Sequence, residues 1–511
     1  MKNEVNSSFA GGVAILTLST VIVKLIGVCY KIPLVRLLGS EGMGYFNAAY
    51  DVYAILCIVS TTGLPVAISV IMNKYREQHK RIFLLSLCIV IVIGLISALG
   101  VFAFSEQIAV RIGARSAAMS LRFMAPAVLF ICITGALRGY YQGMHNMLPT
   151  AVSQVIEAVG KLVFGLVFAY IAISKHQTLS ESAAFAVLGL SMGTFLCMVF
   201  LLLYGKREKF QQTSDNVDWH VLLKQLISVA FPVTLGAVLS GMSKIIDLGL
   251  IMRRLEDAGI ESEMAVSLYG CYSAMVIPLY NAIPAMFGSL AMPLIPHLAG
   301  AYERRDMQAQ KDLLNTSFRL TALIGIPGAI GLGMLSDQVL PLLFGRTQDL
   351  DDAIPMLIVI SMAIPASCLI TATSAILQAY GHAWLPMVST AAGCAIKALT
   401  LYLLCANPSI GIMAAPISTL ICCIVIVTAN LFFVCRVAPP FSFCNTWICT
   451  IGISVLSIGT ASALKRALIS VTDLIIIRVS ATVATAVLFY GILAYLFGLF
   501  RISDIKNTKK E

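Results

Sequence analysis

Charged residues are scarce in this chain, and their scarcity indicates its class. Only 12% of the 511 residues are charged, 59% are apolar, and the mean hydropathy is +0.90. Soluble domains typically carry about 25% charged and about 45–50% apolar residues. The composition therefore argues against an ordinary soluble domain and predicts a membrane protein.

Several signatures of enzymes and of nucleotide or metal sites are also missing. The sequence has no G-x-x-x-x-G-K-[ST] motif, which argues against ATP hydrolysis by this chain alone. None of the 14 cysteines forms C-x-x-C, and most lie in apolar runs, where a thiol acts as a small hydrophobic group. The six histidines are scattered. We therefore expect no enzyme, no metal centre and no cofactor, apart from a coupling ion such as Na⁺ or H⁺.

The chain is instead rich in long apolar runs. A helix needs about 20 apolar residues to cross the hydrocarbon layer, and continuous runs favour helices over the alternating strands of a barrel. We predict an all-α polytopic membrane protein with about fourteen transmembrane helices. They are expected at residues 10–38, 44–72, 82–104, 119–141, 150–174, 183–204, 221–251, 264–298, 318–336, 353–379, 385–405, 410–435, 447–464 and 479–500.

Basic residues between the runs predict the orientation. With the N-terminus inside, the expected cytoplasmic segments hold 17 lysines and arginines, and the opposite side holds 9. Because positively charged loops tend to stay in the cytoplasm, both termini are expected there. We expect a multi-pass protein of the bacterial cytoplasmic membrane, with membrane lipids as partners. No nucleic-acid partner is expected, despite the net charge of +10.

The sequence also repeats part of itself. GMHNMLP at Gly143–Pro149 and GHAWLP at Gly381–Pro386 each join two apolar runs, and a lysine follows each about three turns into the next run. Both halves begin on the same side, so the repeat predicts two parallel six-helix lobes. The predicted domains are an N-terminal lobe at 1–205, a C-terminal lobe at 221–436, two extra transmembrane helices at 447–500 and a cytoplasmic basic tail at 501–511.

Cations inside the apolar runs are the candidates for function. A charge at the bilayer centre costs about 2.5–3.5 kcal/mol, unless the side chain can extend to the surface. Lys24 lies near mid-membrane, and Lys31 follows seven residues later on the same helical face. Arg36 is nearer the outer end, where a surface anchor and a substrate contact both stay open. The other candidates are Arg138, Lys161, Lys244 and Lys397.

Acidic residues are placed to meet some of these cations. Glu157 and Lys161 are four positions apart, and Lys244 and Asp247 are three apart, so each pair can meet on one helix face. Each pair is either a neutralising ion pair or an ion-coupling site. Asp51, at the start of the second run, is either another coupling site or an interfacial cap. The excess of cations predicts a hydrated cavity for an anionic substrate.

Two stretches of the chain resemble a known family. ALRGYYQGMHNMLPTAVSQVIEAVGKLV at Ala136–Val163 and LLGSEGMGYFNAAYDVYAILCIVSTTGLPVAISVIMNKY at Leu37–Tyr75 are similar to the polysaccharide exporters that include stage V sporulation protein B. The resemblance implies the multidrug/oligosaccharidyl-lipid/polysaccharide exporter fold, a MATE- and MurJ-like arrangement related to the lipid II flippases. In that fold two lobes alternate access to a central cationic cavity.

The resemblance also implies a function. The expected activity is that of a flippase for an undecaprenyl-diphosphate-linked cell-wall precursor, lipid II or a related lipid-linked oligosaccharide. It would serve peptidoglycan or polysaccharide biosynthesis, cell shape or sporulation, with cell-wall synthesis machinery as a further partner. The resemblance places Lys24, Lys31 and Lys244 at the cavity and the last two helices beside the lipid tail.

Alternative functions stay open at this point. An ion-coupled drug/cation antiporter could use the same fold, and it predicts that neutralising Glu157 or Asp247 has a larger effect than neutralising Lys24. A membrane enzyme would need clustered acids or histidines at the membrane surface, and a scaffold would not need buried cations.

Overall fold

Helices make up the architecture of the chain. The structure, a computed structural model, describes residues 2–75, 78–205, 219–291, 294–345, 349–440, 444–469 and 475–497, and no strand occurs among them. The predicted all-α fold is therefore confirmed. The predicted basic tail at 501–511 lies outside the described residues.

The first compact unit comprises residues Met1–Ala274. A π-helical turn at Val59–Gly63 joins its first two helices, and a second one begins at Cys271 and ends at Val276. The helices of this unit are α1 Lys2–Ile58, α2 Leu64–Lys74, α3 His79–Ala103, α4 Ser105–Arg111, α5 Ala118–Gly143, α6 Leu148–Ser174, α7 Leu179–Gly205, α8 Trp219–Asp257 and α9 Ser262–Gly270.

The second compact unit comprises residues Met275–Glu511. Its described helices are α10 Ile277–Ala291, α11 Leu294–Glu303, α12 Met307–Met334, α13 Ser336–Phe344, α14 Leu350–Ser361, α15 Ile364–Ala379, α16 Trp384–Cys405, α17 Ala414–Val437, α18 Cys444–Ile469 and α19 Ile475–Leu496. The boundaries given above for the two six-helix lobes stay a prediction.

The number of membrane spans differs from the expected fourteen. Ten described helices are long and apolar enough to cross a membrane, or up to twelve spans if each of two bent pairs counts as one. The first two predicted spans both overlap one bent pair, Leu18–Ile58 with Thr61–Lys74. The thirteenth falls on a shorter apolar helix, Thr446–Ala461. A multi-pass membrane protein is confirmed, whereas a count of fourteen is not.

A glycine divides the longest helix. Gly39 has φ 67° and ψ −175° inside α1, a left-handed conformation that a side chain would strain. An unbroken helix of 57 residues would be about 85 Å long, whereas the hydrocarbon layer is only about 30 Å thick. The break at Gly39 therefore separates two stretches that the bilayer could not hold as one straight rod.

The two connecting turns of the sequence repeat have similar backbone geometry. His145 (φ 58°) and Gly381 (φ 82°) both adopt left-handed backbone just after the ends of α5 and α15. In each turn the next amide donates to a carbonyl five residues earlier, as in a Schellman-type helix end. The two bonds are Asn146 N to Tyr141 O and His382 N to Leu377 O, both 2.9 Å.

Candidate functional site

A cavity of about 510 Å³ lies in the first unit beside α1, α5 and α6. Its lining contains three of the predicted cations, Lys31, Arg138 and Lys161, and one predicted acid, Glu157. Neutral hydrogen-bonding groups and aromatic rings line much of the rest, including Thr20, Tyr30, Phe46, Asn47, Tyr50 and Gln154. The lining therefore combines an excess of positive charge with groups that can bind a polar ligand.

Glu157 is held by two cations from two helices. Arg138 Nη2 on α5 donates to Glu157 Oε2 at 2.8 Å, and Lys161 Nζ on α6 donates to Glu157 Oε1 at 2.6 Å. The three side chains are only 12–20% exposed. The predicted meeting of Glu157 and Lys161 is formed, and Arg138 joins it. One carboxylate neutralises one of the two cations, so this triad carries a net positive charge.

Close packing of α6 on α7 fixes the turn that carries this triad. A Cβ added at Gly193 on α7 would lie 2.6 Å from Lys161 N and 2.9 Å from Glu157 O. A Cβ added at Gly160 would lie 2.7 Å from the Cα of Gly193. Small residues let membrane helices approach this closely. The two glycines therefore hold Glu157 and Lys161 at a set position on the cavity wall.

Lys31 connects the cavity to the end of the first unit. Its Nζ donates to the carbonyl of Ser273 at 3.1 Å, and Asn47 Nδ2 donates to Ser273 Oγ at 2.9 Å. Ser273 lies in the π-helical turn that follows α9. Such turns are rare, and where they occur they are frequently at functional sites. Tyr269 OH on α9 donates to Asp51 Oδ2 at 2.6 Å.

We call the contact between α1 and the end of the first unit the α1–α9 seam. It comprises Ser40, Gly44 and Asn47 on α1, and Ser267, Gly270 and Ser273 on α9 and the turn after it. Ser40 Oγ and Ser267 Oγ are hydrogen-bonded at 2.6 Å. A Cβ added at Gly270 would lie 1.9 Å from Ser40 O, so the two backbones touch.

The predicted residues of α1 occupy different surroundings. Lys24 and Arg36 are exposed, and the described residues that line the cavity include neither of them. Asp51 lies well inside α1, so the interpretation of this residue as a cap at a helix start is wrong. It is within electrostatic range of Lys31 and Lys244. Substrate contacts by Lys24 and Arg36 remain predictions.

The remaining predicted residues are not among the described residues that line the cavity. Lys244 is exposed on α8, whereas Asp247 on the same helix is 8% exposed. Lys397 belongs to the second unit, where it is 1% exposed in α16 and within electrostatic range of Cys422 on α17. The structure therefore groups four of the ten predicted site residues around one cavity.

Asn47, Tyr269 and Ser273 were missed by sequence reasoning. The only available signal was a polar side chain within an apolar run, and it does not identify a partner more than 200 positions away. Among the described residues, no group of three or more histidine, cysteine or acidic side chains could hold a metal ion. The charged groups that line the cavity can form charge-assisted hydrogen bonds with an anion.

Comparison with known proteins places the chain in a family. The model of a family described as polysaccharide biosynthesis protein matches residues 9–301. Stage V sporulation protein B of Bacillus subtilis is 24% identical over 98% of this chain and 97% of its own length. Lipid II flippase MurJ of the same organism is 23% identical over 77% of this chain and 76% of its own length.

Solved structures show the same fold. An inward closed conformation of lipid II flippase MurJ has a TM-score of 0.71 and 16% identity, covering 95% of this chain and 99% of the other. An inward-facing multidrug resistance MATE transporter of the MOP superfamily has a TM-score of 0.68 and 15% identity, covering 83% of this chain and 98% of the other. The chain thus groups with flippases and transporters rather than with enzymes. Because the family match covers more than half of its length, the chain belongs to the polysaccharide biosynthesis protein family.

Proposed function

We propose that this protein is a flippase that moves an undecaprenyl-diphosphate-linked cell-wall precursor across the cytoplasmic membrane by alternating access. The observation that carries the proposal is the cavity in the first unit, with Lys31, Arg138 and Lys161 on its wall against the single carboxylate of Glu157 among the described lining. The relatives named lipid II flippase support the choice of a lipid-linked substrate.

The lining suits a diphosphate better than an organic cation. Arginine binds phosphate through paired N–H groups, and lysine acts as a point charge. Both oxygens of Glu157 are already engaged by Arg138 and Lys161, so this acid is poorly placed to receive a cation. An antiporter for cationic drugs would need a carboxylate that is available to its substrate. The drug/cation antiporter is therefore the weaker of the two readings.

The driving force proposed for transport is the membrane potential or an ion gradient. A potential of 100 mV supplies about 2.3 kcal/mol for each charge that crosses. Asp247 and Asp51 are the proposed coupling residues, with Na⁺ or H⁺ as the ion, whereas Glu157 is proposed as the acid of a charge pair because Arg138 and Lys161 already engage both of its oxygens. In this arrangement both termini are cytoplasmic, and the cell-wall synthesis machinery consumes the delivered precursor.

Genetic rescue tests the proposed function. The gene is expressed in a bacterium whose own lipid II flippase is depleted, and growth and outer-leaflet lipid II are measured. We expect rescue by the wild-type protein, loss of rescue with Lys31→Met, and full rescue with Lys175→Met, which removes an exposed cation at the end of α6. Failure of the wild-type protein to rescue, despite normal insertion in the membrane, would contradict the proposal.

A further inference from the structure

Lys31 takes part in two arrangements at once. Its side chain lines the cationic cavity, and its ammonium group donates to the carbonyl of Ser273 in the α1–α9 seam. We propose that an anion in the cavity and the closed seam compete for Lys31, so that binding of an anionic headgroup loosens the seam. The choice of a diphosphate as the anion rests on the proposed function.

The competition follows from the chemistry of the groups involved. The Ser273 carbonyl is a neutral acceptor, whereas a diphosphate oxygen is charged and forms a stronger charge-assisted hydrogen bond with an ammonium group. Arg138 and Lys161 line the same cavity and would hold the diphosphate there. Drawing Nζ of Lys31 toward them lengthens its bond to Ser273. The headgroup thus gains a contact that the seam loses.

Other contacts join α1 to this end of the first unit. The described polar bonds that persist without Lys31 include those of Asn47 with Ser273 Oγ, of Ser40 with Ser267 and of Tyr269 with Asp51. The backbones meet through Gly44 and Gly270, which contribute no side chains of their own. The Lys31 bond involves a charged group, and such bonds contribute more than neutral ones, so its loss weakens this contact.

Competition of this kind is reciprocal. If an anion weakens the seam, a change that opens the seam elsewhere must strengthen anion binding, by at most the factor by which the anion favours the open seam. Ser267 offers such a change, because Ser267→Ala removes the bond to Ser40 and Ser267 is not part of the described lining. Ser174→Ala is the matched control, since it removes an exposed hydroxyl that bonds only locally, to Ile171 O on α6.

The test measures seam opening and anion binding in the same full-length protein, reconstituted in lipid nanodiscs. Hydrogen–deuterium exchange of the peptide covering 262–276 reports the seam, with saturating geranyl diphosphate as the probe and geraniol as the uncharged control. Variants are compared after their thermal unfolding midpoints have shown that they are folded. We expect geranyl diphosphate to accelerate exchange by about five-fold in the wild-type protein, and geraniol to leave it unchanged.

Three variants and one control separate coupling from binding. Lys31→Met should exchange fast without the probe and show no further acceleration with it. Lys161→Met should bind the probe more weakly but respond fully at saturation, because Lys31 is intact. Ser267→Ala should bind the probe more tightly, by up to about five-fold, and Ser174→Ala should bind it as the wild-type protein does.

The outcomes distinguish this inference from the proposed function. If the probe binds the wild-type protein and exchange of 262–276 is unchanged or slower, the competition is refuted and the flippase proposal stands. If Ser267→Ala and Ser174→Ala bind the probe equally, the reciprocal relationship is refuted. If the wild-type protein binds no geranyl diphosphate at all, the proposed function fails, and the inference fails with it.

Discussion

Arg138 on α5 donates to Glu157 on α6 across 2.8 Å, within a cavity wall where both side chains are 12% exposed. The same carboxylate accepts from Lys161 at 2.6 Å. Glu157 therefore neutralises one of two neighbouring cations where all three side chains are largely buried. The positive charge that is left is the basis for the proposal that the cavity binds an anion.

Removal of the Glu157 charge should destabilise the protein. Glu157→Gln leaves Arg138 and Lys161 facing each other without a counter-charge, and breaking a buried pair in this way costs about 3–5 kcal/mol. Reversible unfolding in mixed detergent micelles measures the decrease in the free energy of unfolding. The double variant Arg138→Met with Glu157→Gln should lose less than the sum of the two single changes, because the residual repulsion is relieved.

Additive losses of stability in the single and double variants would contradict an energetic coupling between Arg138 and Glu157. Strictly additive values would mean that Arg138 and Glu157 do not interact energetically in the membrane. Arg122→Met serves as the control, since its partner Glu106 is largely exposed and surface ion pairs contribute only about 0–1 kcal/mol.

Alanine at Gly270 should disrupt the α1–α9 seam. The added Cβ would lie 1.9 Å from Ser40 O and 2.6 Å from Gly44 N, which the helices can avoid only by separating. We expect faster hydrogen exchange at 262–276 than in the wild-type protein. Gly249→Ala is the matched control on α8, where nothing lies within 4 Å of the added Cβ. Unchanged exchange in Gly270→Ala would show that the seam is not closed as described.

Replacement of the lysines of α1 should weaken diphosphate binding to different degrees. Lys31 lines the cavity and Lys24 does not, so Lys31→Met should lower the affinity for geranyl diphosphate by about ten-fold, or 1.4 kcal/mol. Lys24→Ala should weaken binding less, with the fold intact. Isothermal titration calorimetry in nanodiscs compares them. A larger loss with Lys24→Ala would place the anion away from the cavity described above.

Local spacing predicted the parts of the site that lie on one helix. Glu157 and Lys161 are one turn apart on α6, so their contact follows from helix geometry alone. The seven-residue spacing of Lys24 and Lys31 also predicts one shared face, because a 3.6-residue turn leaves the two rotated by only about 20°. They lie about two turns apart along the helix, however, and the described lining includes Lys31 but not Lys24.

Contacts between helices could not be predicted in this way. Arg138 reaches Glu157 because α5 and α6 both pack on α7, and Lys31 reaches Ser273 across 242 positions of sequence. Which helices adjoin depends on close approaches such as Gly160 on Gly193, and a single sequence does not identify such pairs. The all-helical class was predictable because composition and run length determine it. The number of spans was less predictable, because bends divide runs that look continuous in the sequence.

Translocation in proteoliposomes tests the central claim most directly. A fluorescent undecaprenyl-diphosphate-linked disaccharide is placed in the vesicles, and its arrival in the outer leaflet is followed by quenching with an impermeant reductant. We predict transfer with the wild-type protein under a membrane potential, and transfer close to that of protein-free vesicles with Lys31→Met. Equal transfer by the two folded proteins, or none by the wild-type protein, would contradict a flippase that works through this cavity.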